Sequence, residues 1–197
     1  MKYKILILFL IAVNFNSFAQ FSEPYRLSKI VLKTGDTLIG MGKTKNKGFK
    51  YKAHSNVKPY YIELSKIDFV QQKYSGNESK IFRFFQTINN DTFIKVEELV
   101  KGEQAELYAV IYNVNSGGAG GMSISQTVVK YYVKKKSEKK ITLLGPYSPL
   151  TNNLKEKTIN YFSDCPELIG KIESKDFRIR DGLEQIVEFY NENCKLE

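Results

Sequence analysis

The sequence predicts an α+β protein. An antiparallel, curved or barrel-like β body is expected over residues 20–148, and a C-terminal helical region over 149–197, packed on the body and stapled by one disulfide. Three observations carry this expectation. From residue 27 to about 145, apolar and polar residues alternate with period two between short turn clusters, the pattern of half-buried strands. From Thr151 onward the period becomes helical. Finally, the only two cysteines, Cys165 and Cys194, fall at the start of one expected helix and the end of the next.

The first nineteen residues stand apart. Lys2 and Lys4 precede the apolar run Ile5–Val13, and Ser17-Phe18-Ala19 places small residues at the two positions a signal peptidase reads. Nine apolar residues are too few to span a bilayer, which needs about 20. Residues 1–19 are therefore expected to be a secretory signal peptide cut after Ala19. Gln20 follows the cut in place of a cysteine, so no lipoprotein anchor is expected. The mature protein is expected in the periplasm or outside the cell, with no transmembrane segment after cleavage. An oxidising compartment favours pairing of Cys165 with Cys194.

Along the mature chain, LSKIVLKTGDTLIGMG reads as two strands around Thr34-Gly35-Asp36. GFKYKAH sets Phe49 and Tyr51 against Lys50 and Lys52, a strand with one wet face. KPYYIEL is a further strand, and LSKIDFVQQ is either a helical turn or a strand. KIFRFFQTI, TFIKVEELV and AELYAVIYNV continue the pattern, separated by Ser75-Gly76-Asn77, Asn89-Asn90-Asp91 and Gly102. Two long strands, 104–114 and 124–135, flank a glycine-rich connection, and KKITLLG ends the body before Pro146 and Pro149. Short spacing of this kind predicts an antiparallel meander. In the helical region, Leu154, Thr158, Tyr161 and Phe162 share one face. Asp164 and Asp181 each precede a carboxylate by three residues, which predicts a helix cap at each. Leu183, Ile186, Val187, Tyr190 and Cys194 form one continuous buried stripe.

Composition narrows the chemistry. With 42% apolar and 26% charged residues the chain is an ordered globular protein. One His and two Cys are too few for a His- or thiolate-based zinc site, and His54 reads as a turn or surface residue. Gly117-Gly118-Ala119-Gly120-Gly121 lacks the Lys-Ser/Thr that a phosphate loop requires and precedes a strand. Gly121-Met122-Ser123-Ile124-Ser125 lacks the closing glycine of a nucleophile elbow. Adjacent Glu97 and Glu98 point to opposite faces of a strand. No catalytic residue, cofactor or metal site is expected from these motifs.

Charge is more informative. The formal net charge is +9, and residues 20–63 carry nine Lys/Arg against three acids, while 164–197 carry five against nine. The basic residues interleave with tyrosines. Lys43, Lys45, Lys47, Lys50, Lys52, Tyr51, Lys130 and Lys134 form the candidate surface for an anionic partner. In an exported protein such a surface points to an acidic glycan, an anionic lipid surface or an envelope protein, and not to nucleic acid. The expected function is that of a non-catalytic binding module. The alternatives are a cell-wall or glycan hydrolase using a carboxylate pair from different strands, and a structural subunit of an envelope assembly.

The signal ending Phe18-Ala19-Gln20, the segment Val31 to Gly40, the run Tyr161-Phe162-Ser163-Asp164-Cys165-Pro166-Glu167-Leu168, and Tyr190-Asn191 with Cys194 resemble uncharacterised exported proteins of Bacteroidetes-type bacteria. That resemblance implies export and assigns no activity to any residue. Residues 27–70, opening on the Gly35-Asp36 strand pair with Gly40, are also similar to small SH3-like or PRC-type barrels.

Overall fold

A computed structural model describes residues 23–76, 78–86, 93–117 and 123–194. The expected signal peptide and the centre of the glycine-rich connection, 118–122, lie outside the described residues.

The alternating segments form ten strands: β1 (Arg26–Leu32), β2 (Thr37–Lys45), β3 (Gly48–Lys52), β4 (Tyr60–Ile62), β5 (Ile67–Lys73), β6 (Ser79–Gln86), β7 (Phe93–Lys101), β8 (Ala105–Gly117), β9 (Ser123–Lys135) and β10 (Thr142–Pro146). They make one antiparallel sheet in the order β10-β9-β8-β7-β6-β5-β1-β2-β3-β4. The ambiguous LSKIDFVQQ segment is both things expected of it, a 3₁₀ turn (Leu64–Lys66) running straight into β5.

That order forces curvature. Between β4 and β5 the chain has only residues 63–66, yet four strand steps separate the two in the sheet. Laid flat, four steps span roughly 19 Å at about 4.8 Å each. A connection this short, shortened further by a 3₁₀ turn, cannot reach that far unless the sheet curls. Ile62 of β4 and Ile67 of β5 accordingly share one apolar cluster with Ile30, Phe49, Tyr51, Val70 and Phe84. The curl is permitted by Gly40 and Gly42 on the inward side of β2. A Cβ at Gly40 would strike the Tyr51 ring, and one at Gly42 the Phe49 ring. The expected curvature is present, but the sheet is not closed. β4 is three residues long, and the 3₁₀ turn redirects the chain before a ladder to β5 can form, leaving β4 and β10 as edges.

Helices α1 (Asn153–Tyr161), α2 (Pro166–Glu173) and α3 (Glu184–Asn193) cover the other end of the sheet. Leu154, Phe162, Leu168, Ile172, Leu183, Ile186, Val187 and Tyr190 pack with Ala105, Leu107, Tyr131, Val133 and Leu144 from β8, β9 and β10. Each fully buried Leu or Ile contributes about 1.5–3 kcal/mol. Polar contacts fix the docking. Asn191 Oδ1 accepts the backbone N–H groups of Gln104 and Ala105, both at 2.9 Å, and the Asn191 side-chain amide donates to the Ala105 carbonyl at 2.9 Å. Cys165 and Cys194 form the expected disulfide, with Cα atoms 5.6 Å apart.

Two expected caps are not formed. The N-cap positions of α2 and α3 are Cys165 and Leu183, neither with a side-chain cap bond. Asp164 is instead drawn to stronger donors, the Lys135 ammonium at 2.8 Å and the Tyr190 hydroxyl at 2.7 Å. Asp181 lies within a 3₁₀ turn (Ile179–Asp181) beside the Arg180 guanidinium at 3.4 Å. No helix among the described residues is long and apolar enough to cross a membrane.

Candidate functional site

The lysines of β2 and β3 are assembled by strand register. Lys43 lies opposite Lys50, Met41 opposite Lys52, and Lys50 opposite Tyr61 of β4. Because side chains alternate, Phe49 and Tyr51 turn inward and Lys50 and Lys52 turn out beside Lys43 and Lys45. Tyr25, just ahead of β1, supplies an aromatic ring to this outer face. Its centroid lies 4.6 Å from the Lys43 ammonium and 4.8 Å from that of Lys52, while Lys50 sits 5.8 Å from the Tyr61 ring. Each such contact contributes about 0.5–1 kcal/mol at an exposed site.

This face clusters its cations in register without counter-charge. Among the described residues, none of Lys43, Lys45, Lys47, Lys50 and Lys52 is in an ion pair. Several cations of the sheet are matched by contrast: Lys80 lies 3.0 Å from Glu97, Lys95 2.9 Å from Glu23, and Lys135 2.8 Å from Asp164. Like charges directly opposite in a ladder are destabilising, as Lys43 and Lys50 are here. A bound anion would relieve that repulsion.

The structure does not bring all eight expected surface residues together. Tyr51 is 4% exposed. Its hydroxyl donates to the Ile39 carbonyl at 2.9 Å, and its ring meets Tyr60 edge-on at 5.4 Å. Burial first, and Tyr60 second, push its hydroxyl above the ordinary tyrosine range. Tyr51 therefore belongs to the core, and Tyr25 and Tyr61 take its place on the face. Lys130 and Lys134 lie on β9, six strand steps from β2 and so roughly 29 Å away along a flat sheet. Lys130 rests 5.1 Å from the Tyr112 ring, and Lys134 lies 3.8 Å from Glu106. They form a separate, partly neutralised patch.

Sequence reasoning missed a second polar assembly inside the sheet. The register pair Ser28 and Gln72 is buried, and the Gln72 amide donates to the Ser28 hydroxyl at 3.3 Å and to the Gly42 carbonyl at 3.2 Å. The Lys95 ammonium donates to Gln72 Oε1 at 3.0 Å and to Glu23 Oε1 at 2.9 Å, 4.0 Å from the Phe82 ring. Glu23 Oε2 also accepts the Thr44 N–H at 3.2 Å. Burial pushes the Lys95 ammonium below the ordinary lysine range, against the pull of Glu23. A cavity of about 340 Å³ opens beside Lys95, lined also by Glu23, Tyr74, Lys80 and Glu97. Its two carboxylates are each paired with a lysine, so the assembly fastens the segment before β1 to β2 and β7. The available signal was a polar residue at an inward position, Ser28, Gln72 and Lys95 in turn. The adjacent glutamates behave as their spacing dictates, Glu97 pairing with Lys80 and Glu98 with Arg83.

No group of three His, Cys, Asp or Glu side chains able to hold a metal occurs among the described residues, and His54 lies exposed in a turn. Comparisons with protein-family models, with curated proteins and with solved structures found no match.

Proposed function

We propose that this is an exported, non-catalytic binding protein whose β2–β4 lysine and tyrosine face holds an anionic polymer of the cell envelope. The observation that carries the reading is the alignment of Lys43, Lys45, Lys50 and Lys52 on one face without a carboxylate partner. Clustered unmatched charge attracts polyanions through a field that extends about one Debye length, about 8 Å at physiological salt. β1 to β5 belong to the curled part of the sheet, whose outer face carries the lysines, so the ligand lies along a convex surface and needs no pocket. Export rests on the N-terminal segment with its Ser17-Phe18-Ala19 ending, and the buried disulfide fits an oxidising destination.

The test is retention of the mature protein on dextran sulfate and on vesicles containing an anionic lipid. Retention should fall away as salt approaches about 1 M, where the Debye length is about 3 Å. Lys50→Glu with Lys52→Glu should abolish it, whereas Lys130→Glu should not. Equal retention of the β3 double variant removes this face as the binding surface. Retention on only one matrix identifies the ligand as glycan or lipid.

A further inference from the structure

We propose that a cleft in the helical region, between residues 147–155 and 172–180, binds a single-chain amphiphile with an anionic headgroup, independently of the β2–β4 face. The cleft holds about 390 Å³, at the small end of the range for ligand sites of about 300–1,000 Å³. Leu154 and Ile172 form its floor and are 3% and 1% exposed. Tyr147, Phe177 and Ile179 add apolar walls.

The charge around this cleft is sorted. Residues 149–197 contain seven Lys/Arg and ten Asp/Glu. Four of these cations, Lys155, Lys175, Arg178 and Arg180, line the cleft, and no acid among the described residues does. Arg180 is shared with Asp181, but Lys155, Lys175 and Arg178 have no ion-pair partner among the described residues. An acidic region thus surrounds one apolar cleft with cations drawn from two separate segments, which matches a ligand with a buried chain and an anionic end.

Lys175 adds an independent observation. It follows α2 with φ at 71°, the only non-glycine residue at positive φ among the described residues. Glycine or asparagine ordinarily ends a helix in this conformation. A lysine held there carries backbone strain, and strain of this kind concentrates at ligand sites. The ammonium it places at the cleft is the feature glycine would lack.

Decanoate and decyl phosphate, each below its micelle threshold, are titrated calorimetrically into the disulfide-intact mature chain, with inorganic phosphate and decyl maltoside alongside. Saturable one-site binding of at least one anionic amphiphile is expected, and the tighter of the two identifies the headgroup as carboxylate or phosphate. Inorganic phosphate and decyl maltoside should bind at least tenfold more weakly, lacking the chain and the charge respectively. Lys155→Glu with Arg178→Glu should weaken binding at least tenfold. Lys175→Gly should weaken it severalfold without lowering the melting temperature, which separates a ligand role from a structural one. Lys50→Glu with Lys52→Glu should leave it unchanged, so failure here is distinct from failure of the polymer reading. Equal affinity for decyl maltoside, wild-type affinity in the folded double variant, or no saturable binding would overturn the proposal.

Discussion

Asp164 ties three parts of the molecule to one carboxylate. It accepts from Lys135 at the end of β9 and from Tyr190 of α3, while its neighbour Cys165 begins α2. The Lys135 ammonium also lies 5.1 Å from the Tyr161 ring and 5.3 Å from that of Tyr190. Burial alone would raise the Asp164 pKa, but the hydrogen bonds from Lys135 and Tyr190 outweigh it and hold the carboxyl below the ordinary range. An unfolded aspartate titrates near 3.9. Stability from Asp164 is therefore fully present above about pH 4, and is lost as pH falls through the lower folded value. Asp164→Asn should cost about 1 kcal/mol near neutrality, a figure kept low because the side chain is 36% exposed. In urea titrations the gap between wild type and variant should close in acid, and a gap independent of pH would refute the linkage. Gly42 offers a steric test at the same scale. Gly42→Ala pushes a methyl into the Phe49 ring and should destabilise by about 1–3 kcal/mol, the range for overpacking. An unchanged denaturation midpoint would show that β2 and β3 do not approach so closely.

Among the elements, α3 was the plainest in the sequence. Its stripe Leu183, Ile186, Val187, Tyr190 and Cys194 is buried throughout, because five apolar residues at helical spacing admit one orientation. The long strands β8 and β9 were also legible, expected over 104–114 and 124–135 and found at Ala105–Gly117 and Ser123–Lys135. The caps were not. Spacing marks a carboxylate near a helix start, but Asp164 is claimed by Lys135, 29 residues away in sequence, and local pattern does not contain that competitor. The disulfide joins two elements whose packing is already good. In the chain-entropy model a bridge across 29 residues stabilises by about 3.5 kcal/mol. Replacing both cysteines with alanine should lower unfolding free energy by about that amount. The Asn191 hydrogen bonds to Gln104 and Ala105 should still seat α3 on β8. Helical circular dichroism should therefore survive in the double variant at neutral pH and moderate temperature. Its loss would make the bridge, rather than the interface, what organises the helical region.

For the whole molecule, the candidate binding face was half legible. The alternation in GFKYK gave the outward direction of Lys50 and Lys52 and set Tyr51 opposite them, but a surface gathered by composition counted Tyr51, which fills the core, alongside residues that face out. The distance between the β2–β3 lysines and those of β9 was hidden as well, because a closed barrel would bring early and late strands together, whereas the sheet stays open with β4 and β10 as its edges. Tyr108 and Tyr190, both buried, and the partly buried Tyr161 give the fold a common weakness in alkali. Tyr108 is pushed up by burial and then by its hydrogen bond to Glu106, Tyr161 by burial and then Glu138, and Tyr190 by burial and then Asp164. All three start from an ordinary value of 10.0. The unfolded chain therefore releases these protons at a pH where the native fold still holds them. Stability is complete below about pH 10 and is lost as pH rises toward the folded values. Each such group contributes a limiting slope of about 1.4 kcal/mol per pH unit, so three acting together should give about 4. Absorbance at 295 nm should show the exposed tyrosines ionising gradually near pH 10, with a further group appearing only in the cooperative unfolding step followed by circular dichroism. Tyr108→Phe should reduce the alkaline slope by about one third. If every tyrosine ionised in a single wave with the native signal intact, the aromatic interior would be open to water.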